Sequence, residues 1–210
     1  MRTAVILASG TPPPRDLLRA RANEADLFVC ADGGANVARE AGLTPDAIVG
    51  DLDSATPATL KHFLGVPIVR DASQERTDLE KAVAHVLERG PFEQIVILGA
   101  SSGRLDHVLG HLSLLRRHHP GISIVLEDAH GVAFLARAEA ALDYAAGTVV
   151  SFFAIGEPAE GVTTEGLRYP LVDGTLAMGA QDSISNVIET RPARIRIGRG
   201  ELLVMVVREP

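Results

Sequence analysis

Residues 94–112 run Gln94-Ile95-Val96-Ile97-Leu98-Gly99-Ala100-Ser101-Ser102-Gly103-Arg104-Leu105-Asp106-His107-Val108-Leu109-Gly110-His111-Leu112. Five residues rich in β-branched side chains lead into a turn with glycine at 99 and 103. Apolar residues then recur at Leu105, Val108, Leu109, Leu112 and Leu115. The first pattern suits a strand buried on both faces and the second follows one face of a helix, so the segment predicts strand, Gly-rich turn, helix. The same unit recurs toward the N-terminus. Strands are expected at Thr3–Ala8, Leu27–Cys30, Ala47–Val49, Pro67–Arg70, Gln94–Leu98 and Ile122–Leu126. Helices are expected between them at Arg15–Asn23, Ala35–Ala41, Pro57–Phe63, Asp78–Arg89 and Leu105–His118. This alternation predicts an α/β domain with a mostly parallel sheet and helices on both faces, which binds ligands where the carboxyl ends of its strands open into a crevice.

Beyond about residue 130 the rhythm changes to short, Gly-punctuated strands at Val132–Ala136, Thr148–Ile155, Leu176–Met178, Ser185–Glu189, Arg194–Ile197 and Leu202–Val207. No amphipathic helix interrupts them, so a smaller antiparallel β domain is expected. The reading is two domains, 1–128 and 129–210. A chain of 210 residues with 46% hydrophobic and 22% charged residues is long enough to bury a core and too balanced to be disordered. Its net charge of −7 argues against a nucleic-acid partner but not against a phosphorylated small molecule, because a metal ion reverses the local sign of an acidic pocket. The lone Cys30 excludes an intramolecular disulfide. The short apolar start, broken at Gly10 and Pro12–Pro14, reads as a first strand rather than a leader. No segment is apolar enough to span a membrane, and a cytoplasmic protein is expected.

The strongest chemical signal is Gly50-Asp51-Leu52-Asp53-Ser54, where the apolar run Ala47-Ile48-Val49 ends. If the chain stays extended through this turn, residues two apart face the same side and both carboxylates project into the crevice. Two carboxylates with room for water and phosphate oxygens suit Mg2+. A solvated Asp-rich turn that caps the helix from Pro57 is the competing reading. Asp32-Gly33-Gly34 follows the strand at Leu27–Cys30 and opens the next helix, a position where backbone N–H groups favour anions and glycine lets the backbone approach phosphate. Asp32 also serves as an ordinary cap there. Thr77 and Glu80 form the pattern of a capping box, while Asp78 and Lys81, three apart on one helical face, offer a metal ligand and a phosphate contact.

Gly99-Ala100-Ser101-Ser102-Gly103 also matches the nucleophile elbow of α/β-hydrolases. The acids Glu127 and Asp128 and the last histidine, His130, crowd one place in the chain, which is poor geometry for a triad. The alternative is a Gly-rich phosphate loop with Arg104 as a forked anion donor and Asp106-His107 in the first helical turn. His107, His111, His118 and His119 match no zinc pattern and read as surface or satisfied helix histidines. In the second domain, Tyr169 beside Pro170 offers an aromatic face to a flat ring, or simple packing.

Asp32-Gly33-Gly34, Gly50-Asp51-Leu52-Asp53-Ser54, Thr77-Asp78 with Lys81, Gly103-Arg104-Leu105-Asp106-His107, Gly166-Leu167-Arg168-Tyr169-Pro170-Leu171 and Ser185-Asn186 occur together in one order. In that order the chain resembles the thiamine pyrophosphokinase family over roughly residues 1–207. The resemblance implies transfer of a pyrophosphoryl group from ATP to the thiamine hydroxyl, giving thiamine diphosphate and AMP. It further implies a homodimer with active sites at the interface, an N-terminal α/β domain and a C-terminal β-sandwich for thiamine binding and dimerisation. By the same resemblance Asp51, Asp53 and Asp78, with Asp32, gather Mg2+ around the ATP phosphates. Arg104 and Asp106 lie in that cleft. Gly33, Gly34, Lys81 and Gly103 contact the nucleotide, and Tyr169, Ser185 and Asn186 hold thiamine. The chain departs from many members at Ser73-Gln74-Glu75-Arg76 and at Ser102, and it has no tryptophan. A pyrophosphokinase acting on another alcohol such as a pterin, or a silent nucleotide or thiamine sensor, remains the alternative.

Overall fold

In the computed structural model, which describes residues 1–101, 104–117 and 121–208, the backbone divides into two units, Met1–Ala129 and His130–Pro210. The first unit alternates strand and helix as expected. It runs β1 (Thr3–Leu7), α1 (Arg15–Glu24), β2 (Leu27–Ala31), α2 (Gly34–Ala41), β3 (Ala47–Gly50), α3 (Pro57–His62), β4 (Ile68–Arg70), α4 (Asp78–Glu88), β5 (Gln94–Leu98), α5 (Leu105–Leu115) and β6 (Ser123–Asp128).

The six strands pair in the order β4-β3-β2-β1-β5-β6, every pairing parallel. The chain works outward from β1 to β4 and then crosses back to lay β5 on the other side of β1. That reversal makes the carboxyl ends of β1 and β5 the topological switch point, where open sheets bind ligands.

Burial on both faces explains why these strands read as continuous apolar runs. Val5, Leu7, Phe28, Cys30, Ile48, Val96 and Leu98 form one face, covered by Leu18 of α1, Ala35, Ala38 and Ala41 of α2, and Phe63 just past α3. The opposite face meets α4, which buries Leu79, Ala82, Val83 and Val86 and packs on β1, β2 and β3. The α4 start is the expected capping box. Thr77 Oγ1 accepts from Glu80 N, and the Glu80 carboxylate accepts from Thr77 N at 2.7 Å.

α4 also buries His85, whose Nε2 meets no hydrogen-bond partner among the described residues. Burial, and after it the charge of Arg89, hold this imidazole below its ordinary value, with Glu88 pulling the other way. As pH falls, the unfolded chain therefore takes up the proton before the folded one. Stability is expected to decline as the pH drops through and below about 6.5, the ordinary histidine value. His85→Leu should flatten that decline in thermal melts taken over the same range; an unchanged slope would remove His85 as its source.

The second unit is an antiparallel sandwich. Its strands are β7 (Gly131–Ala136), β8 (Glu139–Leu142), β9 (Val149–Ala154), β10 (Ala159–Glu165), β11 (Gly174–Leu176), β12 (Ser183–Val187), β13 (Ala193–Arg196) and β14 (Leu202–Val207). One sheet has the order β12-β9-β14-β7 and the other β11-β10-β13-β8. Alternate residues of both supply the core, among them Val150, Phe152, Val162, Leu176, Ile195, Leu202 and Val204. Two strands escaped the sequence reading. β8 is Glu-Ala-Ala-Leu, with weak strand propensity, and β10 carries Gly161 at φ +66° within a register shift against β11. Among the described residues no helix is long and apolar enough to cross a membrane.

Candidate active site

Asp32 follows β2 at φ 42°, in the left-handed region that Asp tolerates better than most residues. The two glycines after it are buried and do not line the neighbouring cavity. A Cβ on Gly34 would lie 2.0 Å from the Leu7 carbonyl oxygen, and one on Gly33 would lie 3.0 Å from Ser9 Cβ. The absence of side chains at Gly33 and Gly34 lets α2 start hard against the end of β1.

The loop after β3 departs from the extended course expected of it. Leu52 turns to φ 69° and packs on the core beneath α1, α2 and α3, so Asp51 and Asp53 are not carried on one face by strand alternation. Side chains set the loop instead. Asp53 N donates to Asp51 Oδ1 at 3.1 Å, Ser54 N and Ala55 N donate to the two Asp32 oxygens at 3.1 and 3.0 Å, and Thr56 N donates to Asn36 Oδ1 at 3.0 Å. Asn36 Nδ2 returns a bond to the Ser54 carbonyl at 2.9 Å.

The result is a convergence of three carboxylates from distant parts of the chain. One oxygen each from Asp32, Asp51 and Asp78 lie within 4.8 Å of one another. Gly50, at φ +151°, makes this approach possible, because a Cβ there would stand 2.9 Å from Asp32 Cβ and 3.0 Å from Asp78 Oδ1. Burial holds the Asp32 carboxyl above its ordinary value and Asp78 adds to this, while the Ser54 and Ala55 N–H groups oppose it. An all-oxygen anionic donor set fits a hard divalent cation. Asp53 stands outside this trio but lines the same cavity, its Oδ1 accepting from Ser54 Oγ at 2.8 Å.

That cavity has a volume of about 830 Å3 and lies at the carboxyl ends of the strands. Asp78 Oδ1 accepts from Asp51 N at 3.2 Å and pairs with the buried Lys81 Nζ at 3.0 Å. The start of α5 also borders the cavity, with Arg104 at its N-cap and His107 and His111 in the helix. Asp106 does not line the cavity. It forks onto the Arg104 guanidinium at 2.6 and 3.1 Å, and that bond holds its carboxyl down to about 2. His107 and His111, expected as bystanders, border the site. The Ser101 hydroxyl bonds to Asp128 rather than to a histidine, which leaves the hydrolase elbow without its base. Gly103, Ser102, His118 and His119 lie outside the described residues.

The sequence reading did not assign Ser9, Gly10, His107 or His111 to this wall, and it tied the loop of Gln74 and Glu75 to phosphate contacts only through the family resemblance. Ser9 and Gly10 follow β1, so the switch-point rule would have pointed to them had the strand order been known.

In the second unit Asn186 is buried and both of its amide atoms are engaged. Oδ1 accepts from Tyr169 N at 3.1 Å and from Val187 N at 2.9 Å, and Nδ2 donates to the Tyr169 carbonyl at 2.7 Å. Asn186 therefore holds the Tyr169 backbone rather than facing a ligand itself. Tyr169 is 63% exposed. Ser185, exposed at φ 56°, sits where β12 shifts register against β9.

Two family models match the chain. "Thiamin pyrophosphokinase, catalytic domain" covers residues 18–126 and "Thiamin pyrophosphokinase, vitamin B1 binding domain" covers 139–202. The chain is 30% identical over 203 residues to thiamine pyrophosphokinase 1 of Oryza sativa subsp. japonica, covering 82% of this chain and 76% of the relative. It is 28% identical over 215 residues to thiamine pyrophosphokinase of Bacillus subtilis, covering 98% of each. The crystal structure of a Bacillus subtilis thiamine pyrophosphokinase superposes with a TM-score of 0.89 at 26% identity, covering 100% of both chains. One from Geobacillus thermodenitrificans gives 0.85 at 25% identity, covering 100% of this chain and 98% of the other.

Proposed function

This chain belongs to the thiamine pyrophosphokinase family and makes thiamine diphosphate from thiamine and ATP, and from that premise we propose that the reaction takes place at the acidic cavity of the first unit. The observation that carries the placement is the convergence of Asp32, Asp51 and Asp78 at the strand ends. These residues would hold Mg2+, with Asp53 beside them, and the bound ion would supply charge compensation for the phosphate oxygens of ATP.

The protein's own groups do the positioning. Arg104, paired with Asp106, presents its guanidinium to the cavity wall, and Lys81 places a buried ammonium against Asp78, so both supply positive charge to the cavity that holds the acidic trio. The N-terminus of α5, which opens beside the cavity, adds the favourable end of its dipole. The thiamine hydroxyl has to meet the β-phosphorus in line with the departing AMP oxygen, and holding both reactants in that geometry accounts for most of the expected acceleration.

Thiamine is assigned to the second unit, stacked on the exposed Tyr169 ring with the Ser185 hydroxyl nearby and Asn186 bracing the tyrosine backbone. The assembly proposed is a homodimer in which Tyr169 of one subunit serves the acidic cavity of the other.

Purified protein incubated with thiamine, ATP and Mg2+ is expected to form thiamine diphosphate and AMP in equal amounts, and a chelator should abolish both. ADP with thiamine monophosphate would move the attack to the γ-phosphorus and overturn the proposed geometry. Shared sites also make a mixing test possible. Asp51→Asn and Tyr169→Ala, each impaired alone, should recover about a quarter of wild-type activity when their subunits are exchanged, because half the dimers then carry one intact site. No recovery after verified exchange would place each site within one subunit.

A further inference from the structure

We propose that His111 is a positioning residue for the loop that follows β5, acting through its Nδ1–H on the Ala100 carbonyl. The proposal rests on the placement of ATP in the cavity of the first unit. His107 and His111 are four apart on one face of α5, Arg104 caps that helix at its start, and all three border the cavity. Of the three, His111 reaches back to the strand end. Its Nδ1 lies 2.6 Å from the carbonyl oxygen of Ala100, a residue only 2% exposed.

A carbonyl oxygen only accepts, so Nδ1 carries the proton. This bond spans eleven residues and joins the second turn of α5 to the base of the loop from which Arg104 emerges. Two further bonds fix the same base. Gly10 N donates to the Gly99 carbonyl at 2.9 Å, tying it to the end of β1, and the Ser101 hydroxyl bonds to Asp128 at the end of β6. His111 supplies the third tie, and the only one of these that comes from the helix bearing the cavity-facing side chains. Removing it would leave a buried carbonyl without this donor, and the loop would have to shift to regain one. Arg104 would move with it, at the place where displacement of a phosphate contact lowers rate and affinity.

The two amide side chains separate the possible roles of the ring. The nitrogen of Asn stands as many bonds from Cα as Nδ1 does, so His111→Asn can keep the donor to Ala100 while losing Nε2. His111→Gln places its amide at the position of Nε2 instead. We expect His111→Ala and His111→Gln to raise the KM for ATP about tenfold and to leave the KM for thiamine within about twofold. Amide exchange at Ala100 and Ser101 should quicken in both. His111→Asn should restore slow exchange and most of the ATP affinity.

Unchanged exchange in His111→Ala overturns the clamp directly. Faster exchange with unaltered kinetics overturns the proposal through the reading it rests on, since the loop would then move without touching ATP. A His111→Gln enzyme near wild type beside a failing His111→Asn, or equal failure of all three, would transfer the role to Nε2 or to the ring as a whole. If His111→Ala loses its cooperative melt, the comparison of Asn with Gln decides alone.

Discussion

Asp51→Asn is expected to lower turnover by roughly two to three orders of magnitude while leaving the fold intact. The substitution keeps the shape of the side chain and the acceptor for Asp53 N, which is 3.1 Å from Asp51 Oδ1. It removes one of three charges gathered within 4.8 Å. Without a cation these charges repel, and the raised Asp32 carboxyl partly reflects the nearby Asp78. The metal-free variant should therefore melt no lower than wild type. The expected signature is a Mg2+ requirement shifted to higher concentration together with a lower maximal rate, read from steady-state kinetics over a metal titration. A variant with wild-type rate and wild-type metal dependence would dissociate the trio from catalysis.

Gly34→Ala should be strongly damaging to stability. Its Cβ would lie 2.0 Å from the Leu7 carbonyl oxygen and 2.9 Å from the carbonyl carbon, and neither backbone atom can rotate aside. Relief requires α2 to lift from β1, at an expected loss of about 3 kcal/mol or more. The lift would carry Asp32 and Asn36, which together hold the loop through Ser54, Ala55 and Thr56. Denaturant melts should show the loss of stability, and activity per folded molecule should fall as well. Gly110→Ala is the control. It lies exposed in α5 with nothing within 4 Å of the added Cβ, and the exchange of glycine for alanine in an open helix position should stabilise by about 0.5 to 1 kcal/mol. A Gly34→Ala protein as stable as wild type would show that α2 is free to settle elsewhere.

The expected α/β order was legible because each element of the first unit announces itself within a few residues. Val5 to Leu7 and Ile95 to Leu98 are buried runs, and Thr77 with Glu80 is a cap closed within one helical turn. The same local reading fell short for β10, where Gly161 and Thr side chains hide a strand whose pairing is set by β11 and β13.

For the site, the residue types Asp32, Asp51, Asp78 and Arg104 were readable from the chain because each sits at the end of a recognisable strand or the start of a recognisable helix. Their convergence was implied only by the family resemblance, not by any local pattern. It depends on the crossover that returns β5 to the side of β1, on Gly50 admitting two carboxylates at contact distance, and on Leu52 leaving the extended path to reach the core. Gly33 and Gly34 carry the same lesson in reverse, since a glycine beside a helix start reads alike whether a phosphate or a neighbouring strand occupies the missing side chain's place. Composition, period and caps act over a few residues, so the sequence alone determined the elements and the chemistry available at their ends. Which ends meet, which glycines are packed shut and which histidine ties down a loop are contacts between residues far apart in the chain, and only the tertiary structure decides them.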